Sequence, residues 1–599
     1  VDVNTAGSYT VTYNVNDAAG NVANTVVRTV NVNALAECSL TFEEVSSVAG
    51  LSSLDDNWGV AWGDFNNDCY EDLFIASYNP LNPNLLYKNN GDGTFTQMSS
   101  SAGTIVTQAG DYVAGSWGDY DNDGDLDIAI SGNLSTSSEI YHNNGDETFT
   151  SITASSIGYN NSYAHGVSFT DYNNDGYLDL YITNYFSTGF NHFFTNDKNG
   201  SFVREEISVL ANSASSSVSS TWVDYDNDGD QDVFIVNTNN EKNFLYRNDG
   251  NGVFVKITSG DIVNDQNSSV GASWGDYDND GYVDLFVSNA NQDNTLYKNN
   301  GGTSFTKITS GVVVNDGGHS HGSAWVDYDN DGHLDLYVSN DQNTADFLYK
   351  NNGSGGFTKE TLFDGFSQNS MGLAWADYDN DGDLDLAVAN YNNQSNYLFN
   401  NMQTGSCTNN SLTIKLNGDG AGIGARLSAK ATISSQTHWQ YRQVTAQTGG
   451  GVGGQSSLKP TFGFGDATTI DSLIISWPNG ATTVLTNIDL SAVNATCFEV
   501  TMPSSAVVSG KAYYDLNGDC IQDVGESYVS NIQIENTENG VITATDDQGA
   551  YSFNVETGTY NLSMQAHDLW AITSGCPASL SVNALTIGET YGDNSFSIY

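Results

Sequence analysis

The sequence predicts an all-β chain, a seven-bladed β-propeller flanked by small β-sandwich-type domains. Three observations carry that prediction. An aspartate-rich nine-residue motif occurs seven times, beginning at Asp64, Asp119, Asp171, Asp224, Asp276, Asp327 and Asp377, at intervals of 50–55 residues. Each copy leads into an apolar run of period two, such as Leu126–Ile130 or Val283–Val287, which is the signature of a strand. The stretch 38–50 before the first copy resembles the strand that opens later units, while the last copy stops near Asn401 without one. A strand near Phe42 is therefore expected to complete the seventh blade beside Leu398, leaving no free sheet edge. An open parallel solenoid is the competing architecture.

The repeat unit is regular enough to justify strand by strand. An aromatic stands two residues before each first aspartate: Trp62, Trp117, Phe169, Trp222, Trp274, Trp325 and Trp375. After the motif come two strands, the second ending in Tyr or Phe and followed two residues later by Asn89, Asn143, Asn196, Asn248, Asn299, Asn351 or Asn401. A glycine turn and a Phe-containing strand close most units, as in 91–96 and 250–255.

Composition agrees with strands and turns: 61 glycines, 12% aromatics and few basic residues. Lys+Arg is 17 against Asp+Glu 72, a formal charge of −55. Such a surface repels nucleic acid and anionic membranes. No apolar run is long enough to span a bilayer, so no direct membrane insertion is expected. The opening residues read as mid-domain, as expected of a processed product or a piece of a longer precursor.

Within each motif, oxygen-bearing side chains fall at positions 1, 3, 5 and 9, with glycine usually at 6 and a variable residue at 7 expected to offer its backbone carbonyl. The sets are Asp64, Asn66, Asp68, Tyr70, Asp72; Asp119, Asp121, Asp123, Asp125, Asp127; and Asp171, Asn173, Asp175, Tyr177, Asp179. They continue with Asp224, Asp226, Asp228, Asp230, Asp232; and Asp276, Asp278, Asp280, Tyr282, Asp284. Asp327, Asp329, Asp331, His333, Asp335 and Asp377, Asp379, Asp381, Asp383, Asp385 complete the seven. Carboxylates this close repel unless a cation lies between them, and an all-oxygen set suits Ca²⁺. An eighth loop has the EF-type spacing, with Asp515, Asn517, Asp519, Ile521 (by its carbonyl), Asp523 and Glu526 at positions 1, 3, 5, 7, 9 and 12. About eight Ca²⁺ sites are expected, holding loops rather than performing chemistry. The first loop is the least regular, with Asn66 at position 3 and Cys69 at position 6.

The loops and their flanking strands resemble the FG-GAP/VCBS repeats of integrin-alpha-type propellers, over about residues 39–406. The resemblance implies calcium in the loops and a seven-bladed ring. Residues 407–497, with 411–430, the glycine-rich 447–455 and 462–480, resemble the ASPIC/UnbV domain of cartilage acidic protein and bacterial relatives. There, strands are expected over Ile423–Leu427 and Leu473–Trp477, with a turn at 478–480. Residues 505–599 resemble an SdrD B-like, prealbumin-like module, on the opening 508–526. Residues 1–35 resemble the last hairpin of a bacterial Ig-like or HYR-type domain. These flanks suggest a bacterial source. The cysteine order suggests pairs Cys38–Cys69, Cys407–Cys497 and Cys520–Cys576 in an oxidising compartment.

No GxSxG, HExxH, P-loop or Cys-x-x-Cys pattern is present, so no enzyme is expected. His319, His321 and His165 stand out near the sixth and third loops. His165 and His321 are read as packed or channel-facing at a blade-packing position near the central channel, with a ligand role the alternative. Arg426 and Arg442 are read as salt-bridge partners. The function expected is a non-enzymatic extracellular or cell-surface adhesion or scaffold protein binding protein or glycan. Tyr185, Phe186 and Phe190 are the candidate contacts. The alternative is a subunit of an extracellular filament, self-associating through terminal β elements.

Overall fold

The computed structural model describes the strands Gly7–Tyr13 and Val26–Val32, and residues 39–404 except 52, 53, 135, 153–156, 158–162, 187, 188, 207, 213 and 251. It also describes 409–446 and 453–503 except 494, and within 506–598 the strands named below with parts of their turns.

Seven four-stranded antiparallel units follow one another. In the fifth, for instance, Ser269–Gly275 pairs with Asp284–Asn289, then Thr295–Asn299, then Phe305–Ile308. The seventh is completed from the start of the chain, where Ser39–Glu44 pairs antiparallel with Tyr397–Thr404. The expected closing strand is thus present, and the ring architecture replaces the solenoid alternative. The first strand of each unit is innermost, its neighbours being the first strands of adjacent blades. Asn57–Gly63 lies beside Ser370–Ala376 across the closure.

The recurrent aromatic now has a physical reason. It packs between blades, and in five of the seven an indole N–H reaches the preceding blade's inner strand; Phe169 has none, and the Trp375 N–H is buried without a partner. Trp62 donates to the Ala374 carbonyl at 3.1 Å, Trp274 to Thr221 Oγ1 at 3.0 Å and Trp325 to the Ser273 carbonyl at 3.2 Å. A buried ring fills the wedge between sheets while its polar edge finds a partner.

The 410–501 region folds as a second β unit. Asn410–Asn417 pairs with Thr461–Gly465 and, in parallel, with Phe498–Thr501. Arg426–Ile433, Gln436–Gln443, Thr469–Ser476 and Thr482–Asp489 form a four-stranded sheet. The expected turn at 478–480 is present, with Gly480 N–H donating to the Trp477 carbonyl at 2.9 Å. The strand anticipated over Ile423–Leu427 begins only at Arg426, because a tight turn, Asp419–Gly422, with Gly420 and Ala421 at positive φ, precedes it.

This module docks on the ring and sends a segment along its axis. Gly454–Gln455 pairs in parallel with Val60 and Ala61 of the first blade's inner strand. The Gln455 amide bonds both backbone groups of Trp117, accepting from its N–H at 2.6 Å and donating to its carbonyl at 3.2 Å. Ser457 N–H donates to the Trp375 carbonyl at 2.9 Å. Gln443 brackets Asp224 in the same way as Gln455 does Trp117. Gly453, at φ 109°, runs so close to the second blade that an added Cβ would lie 2.3 Å from that of Ala114.

The disulfide expectations are corrected. Cys69 of the first loop is bonded to Cys497, with Cα atoms 6.1 Å apart, so neither Cys38–Cys69 nor Cys407–Cys497 forms. The reason is the docking: Phe498–Thr501 beside Asn410–Asn417 carries Cys497 over the first blade's loop. Cys520 and Cys576 lie outside the described residues.

Towards the C-terminus, Ala506–Tyr514 pairs with Ala550–Val555, Thr590–Tyr591 and Phe596–Ile598. A second sheet joins Gln533–Asn536, Val541–Ala544, Gly558–Met564 and Ser579–Ala584. At the other end, Gly7–Tyr13 and Val26–Val32 form the expected antiparallel hairpin.

Candidate metal centres

Each aspartate loop joins the inner strand of a blade to the second strand, so all seven lie on one face of the ring. Their backbone is fixed before any cation is considered. The position-1 carboxylate accepts from the N–H groups of positions 5 and 6; Asp119 takes Asp123 at 3.1 Å and Gly124 at 3.0 Å. The position-5 carboxylate accepts from the N–H of position 7, as Asp123 does from Asp125 at 3.0 Å. The same bonds recur in the first loop, where Cys69 adopts φ 71° in place of glycine.

The position-9 aspartate ties the loop to the third strand. Its Oδ1 accepts from the backbone N–H of the recurrent asparagine, at 2.7–2.8 Å in all seven blades. That asparagine's Nδ2 then donates to the carbonyl of the position-2 residue in the preceding blade, again at 2.7–2.8 Å in every case.

A second girdle was missed from sequence. Position 4 is Asn in every loop: Asn67, Asn122, Asn174, Asn227, Asn279, Asn330 and Asn380. All seven have positive φ, between 54° and 65°. Each Nδ2 donates to the position-6 carbonyl of the following blade at 2.7–3.4 Å, with Asn380 reaching Cys69 to close the circle. The signal was available, since Asn tolerates the left-handed region better than other non-glycine residues.

The remaining oxygens are poised for a cation. Oδ1 of the position-3 aspartate is buried without a hydrogen-bond partner in five loops, at Asp121, Asp226, Asp278, Asp329 and Asp379. Oδ2 of Asp179, Asp284 and Asp335 is in the same condition. Donor atoms of Asp119, Asp121 and Asp123, and of Asp224, Asp226 and Asp232, fall within 4.8 Å of one another. Buried acceptors without donors carry a desolvation cost that a hard cation removes. Without one, burial and then the neighbouring carboxylates raise Asp119 to about 7 and Asp284 to about 9. The donor set therefore fits Ca²⁺. Position-7 side chains turn sideways instead: Asp125, Asp230 and Asp383 accept from the position-4 Asn of the preceding blade.

The docked module adds positive charge to this face. Lys459, a buried residue, places Nζ 3.3 Å from Asp64, 3.1 Å from Glu71 and 3.0 Å from the Cys69 carbonyl. Burial opposes its charge, but Glu71 and Asp64 outweigh burial and raise its pKa. Lys415 Nζ is 3.1 Å from the same Asp64. A cavity of about 270 Å³ lies here between ring and module. Arg426 pairs with Asp224 at 3.1 Å, as expected, and the Arg442 guanidinium lies over the Phe462 ring. Of the EF-type loop, Asp515 and Glu526 are buried, and Glu526 accepts from Leu516 and Asp523 N–H at 2.7 and 2.9 Å. Asp519 and Ile521 lie outside the described residues.

The opposite face carries aromatics. Trp58 stacks on Tyr78 with centroids 4.0 Å apart, and His165 stacks on Tyr185 at 4.8 Å. Burial lowers His165 to about 3, so it is a neutral packing residue, as read from sequence. Tyr185, Phe186 and Phe190 are exposed beside it.

A seven-bladed ring with one aspartate loop per blade, capped by a β module on the loop face, is an acidic-repeat propeller. The chain belongs to the FG-GAP-like repeat family, whose model matches overlapping stretches from 64–130 to 327–388, more than half of the chain. An ASPIC and UnbV match covers 417–493. Cartilage acidic protein 1 of Xenopus tropicalis is 30% identical over 190 residues, 31% of this chain and 28% of that protein. The Homo sapiens protein is 30% identical over 202 residues, 32% and 30% respectively. The match thus spans under a third of these curated relatives. Among solved structures, an Agrocybe aegerita lectin that recognises non-reducing terminal N-acetylglucosamine is 16% identical, with TM-score 0.38, over 57% of this chain and 86% of that one. BBS1N, solved in complex with ARL6DN, is 12% identical with TM-score 0.39 over 61% and 96%. The families matched are generally non-enzymatic and found in adhesion-type or extracellular proteins. Among the described residues no helix is long and apolar enough to cross a membrane.

Proposed function

We propose that this chain is a non-enzymatic, calcium-stabilised extracellular or cell-surface adhesion or scaffold protein. One observation carries the reading: the carboxylate face is covered. The module lies over it, with Lys415, Lys459 and Arg426 on position-1 aspartates and Cys497 bonded to Cys69. Cations held there stabilise loops and the docking surface rather than meet a partner. The loops hold Ca²⁺ through positions 1, 3, 5 and 9, the first most weakly because two lysines share Asp64. The EF-type loop holds one more.

The partner, an extracellular protein or glycan, then belongs on the opposite face, where Tyr185, Phe186 and Phe190 are exposed around the Trp58 cluster. Aromatic faces suit sugar rings and hot-spot protein contacts. The disulfide suits an oxidising compartment. The SdrD B-like and Ig-like ends act as spacers. Glycan and matrix-protein arrays probed with wild type and a Tyr185→Ala/Phe186→Ala/Phe190→Ala variant test the surface. Binding lost with unchanged melting supports it, and unchanged binding refutes it. A filament subunit is the second reading, favoured by Gly7–Tyr13 and Val26–Val32, which among the described residues pair only with each other.

A further inference from the structure

His319, His321 and Asp341 break the repeat at one place. Their counterparts in the fourth blade are Ser216, Val218 and Thr238, and in the fifth Ser268, Val270 and Ala290. Only the sixth blade carries two imidazoles and a carboxylate at these three positions. All three lie at the end of the blade away from the aspartate loops. His319 and His321 flank the start of the inner strand Ser320–Val326, and Asp341 follows the second strand Asp335–Asn340.

The two histidines are two residues apart where the strand's register shifts, between Ser320 and Ser323, and both are half-buried. The backbone brings Asp341 to them: its N–H donates to the His319 carbonyl at 3.0 Å. Nδ1 of His319 contacts Asp341 Oδ1, and Nε2 of His321 is 3.3 Å from Oδ2. The imidazole centroids are 5.7 Å apart. One donor atom from each residue lies within 4.8 Å of the other two, and Nδ1 of His321 is buried without a hydrogen-bond partner. Side chains are only 14–20% exposed, enough for one open coordination position.

We infer that His319, His321 and Asp341 form a transition-metal site, of zinc class, at the mouth of the central channel opposite the calcium loops. Two imidazole nitrogens and one carboxylate oxygen select zinc-like ions over Ca²⁺, which takes oxygen alone. Small rotations bring the donors to the ~2.0–2.2 Å of zinc coordination, leaving a vertex for water or a partner's side chain. The site is independent of the calcium reading.

The test is equilibrium dialysis of the full chain, in excess calcium, against micromolar zinc chloride, followed by elemental analysis. Wild type is expected to retain zinc that His319→Ala and His321→Ala each release. Asp341→Asn should weaken retention by about tenfold or more. His438→Ala, which removes the imidazole packed against His333, should retain it. Cobalt(II) loading supplies a readout free of folding losses: visible bands of a nitrogen-ligated, four- or five-coordinate ion that shift in Asp341→Asn. Zinc retained by a folded His319→Ala/His321→Ala double variant, or absent from wild type, overturns the assignment.

Discussion

Asn89 donates from Nδ2 to the carbonyl of Tyr378, 2.8 Å away and 289 positions later in the chain. It is the same bond that Asn143 makes to Phe65 and Asn196 to Tyr120, so the ring closes with the contact that joins its interior blades. Breaking it leaves buried carbonyls without donors. Asn89→Ala is expected to destabilise the ring by about 2–4 kcal/mol, as several bonds to one side chain vanish together. Asn196→Ala should cost a similar amount. Urea unfolding in calcium measures both, and a cost below about 0.5 kcal/mol for Asn89→Ala would contradict ring closure through this bond.

The position-4 girdle separates backbone from hydrogen-bond effects. Asn227 has φ 65° and donates to the Gly281 carbonyl at 2.9 Å. Asn227→Gly keeps the left-handed turn and loses only the bond, for about 1 kcal/mol. Asn227→Ala loses both, and should unfold at lower urea than Asn227→Gly. The reverse order would remove conformation from the explanation.

Asp346 gives a pH prediction away from the loops. Blades three to five place Asn191, Asn243 and Asn294 here, each donating to a serine of the next blade. Asp346 is buried, accepts from Asn340 N–H and Tyr337 O–H at 2.7 Å, and burial raises it to about 7. A carboxylate raised in the folded state binds its proton more tightly there. Its ionisation therefore costs stability progressively as pH rises from about 4 to about 7, reaching on the order of 4 kcal/mol above that. Asp346→Asn removes the titration. It should gain stability over wild type at pH 8 and lose most of that gain at pH 5, by urea unfolding at both.

The Cys69–Cys497 bond links residues 428 apart in sequence. A non-reducing peptide map should join the peptides carrying these two cysteines. Cys497→Ser should lower stability by about 2–4 kcal/mol. The Gln455 and Gln443 contacts persist, so the module should stay docked, with limited proteolysis yielding an unchanged pattern in calcium. A peptide pairing Cys497 with Cys407 would refute the docking.

Much of the ring was legible because its rules are local. Strand periodicity, the aromatic two residues before Asp64 and its equivalents, and the stray strand near Phe42 each report on one blade or one edge. The recurrence of Asn89 and its equivalents was also visible, though its reach to the preceding blade was not, since spacing along a strand says nothing about the neighbouring sheet. The module's position was illegible for the same reason. Nothing near Cys497 or Gly454 marks Cys69 or Val60 as a partner. Cysteine order suggested nearest neighbours, and docking brought distant ones together. The sideways turn of Asp125 and Asp383 likewise depends on the adjacent blade.

The central claim is that cations lock the covered face, and calcium stoichiometry coupled to melting tests it most directly. Purified protein dialysed in calcium should retain about eight ions per chain by elemental analysis, the weakest lost first from the loop of Asp64. Chelation should lower the melting temperature steeply, and calcium, not magnesium, should restore it. A chain that retains no calcium and melts at the same temperature with and without chelator would contradict the account.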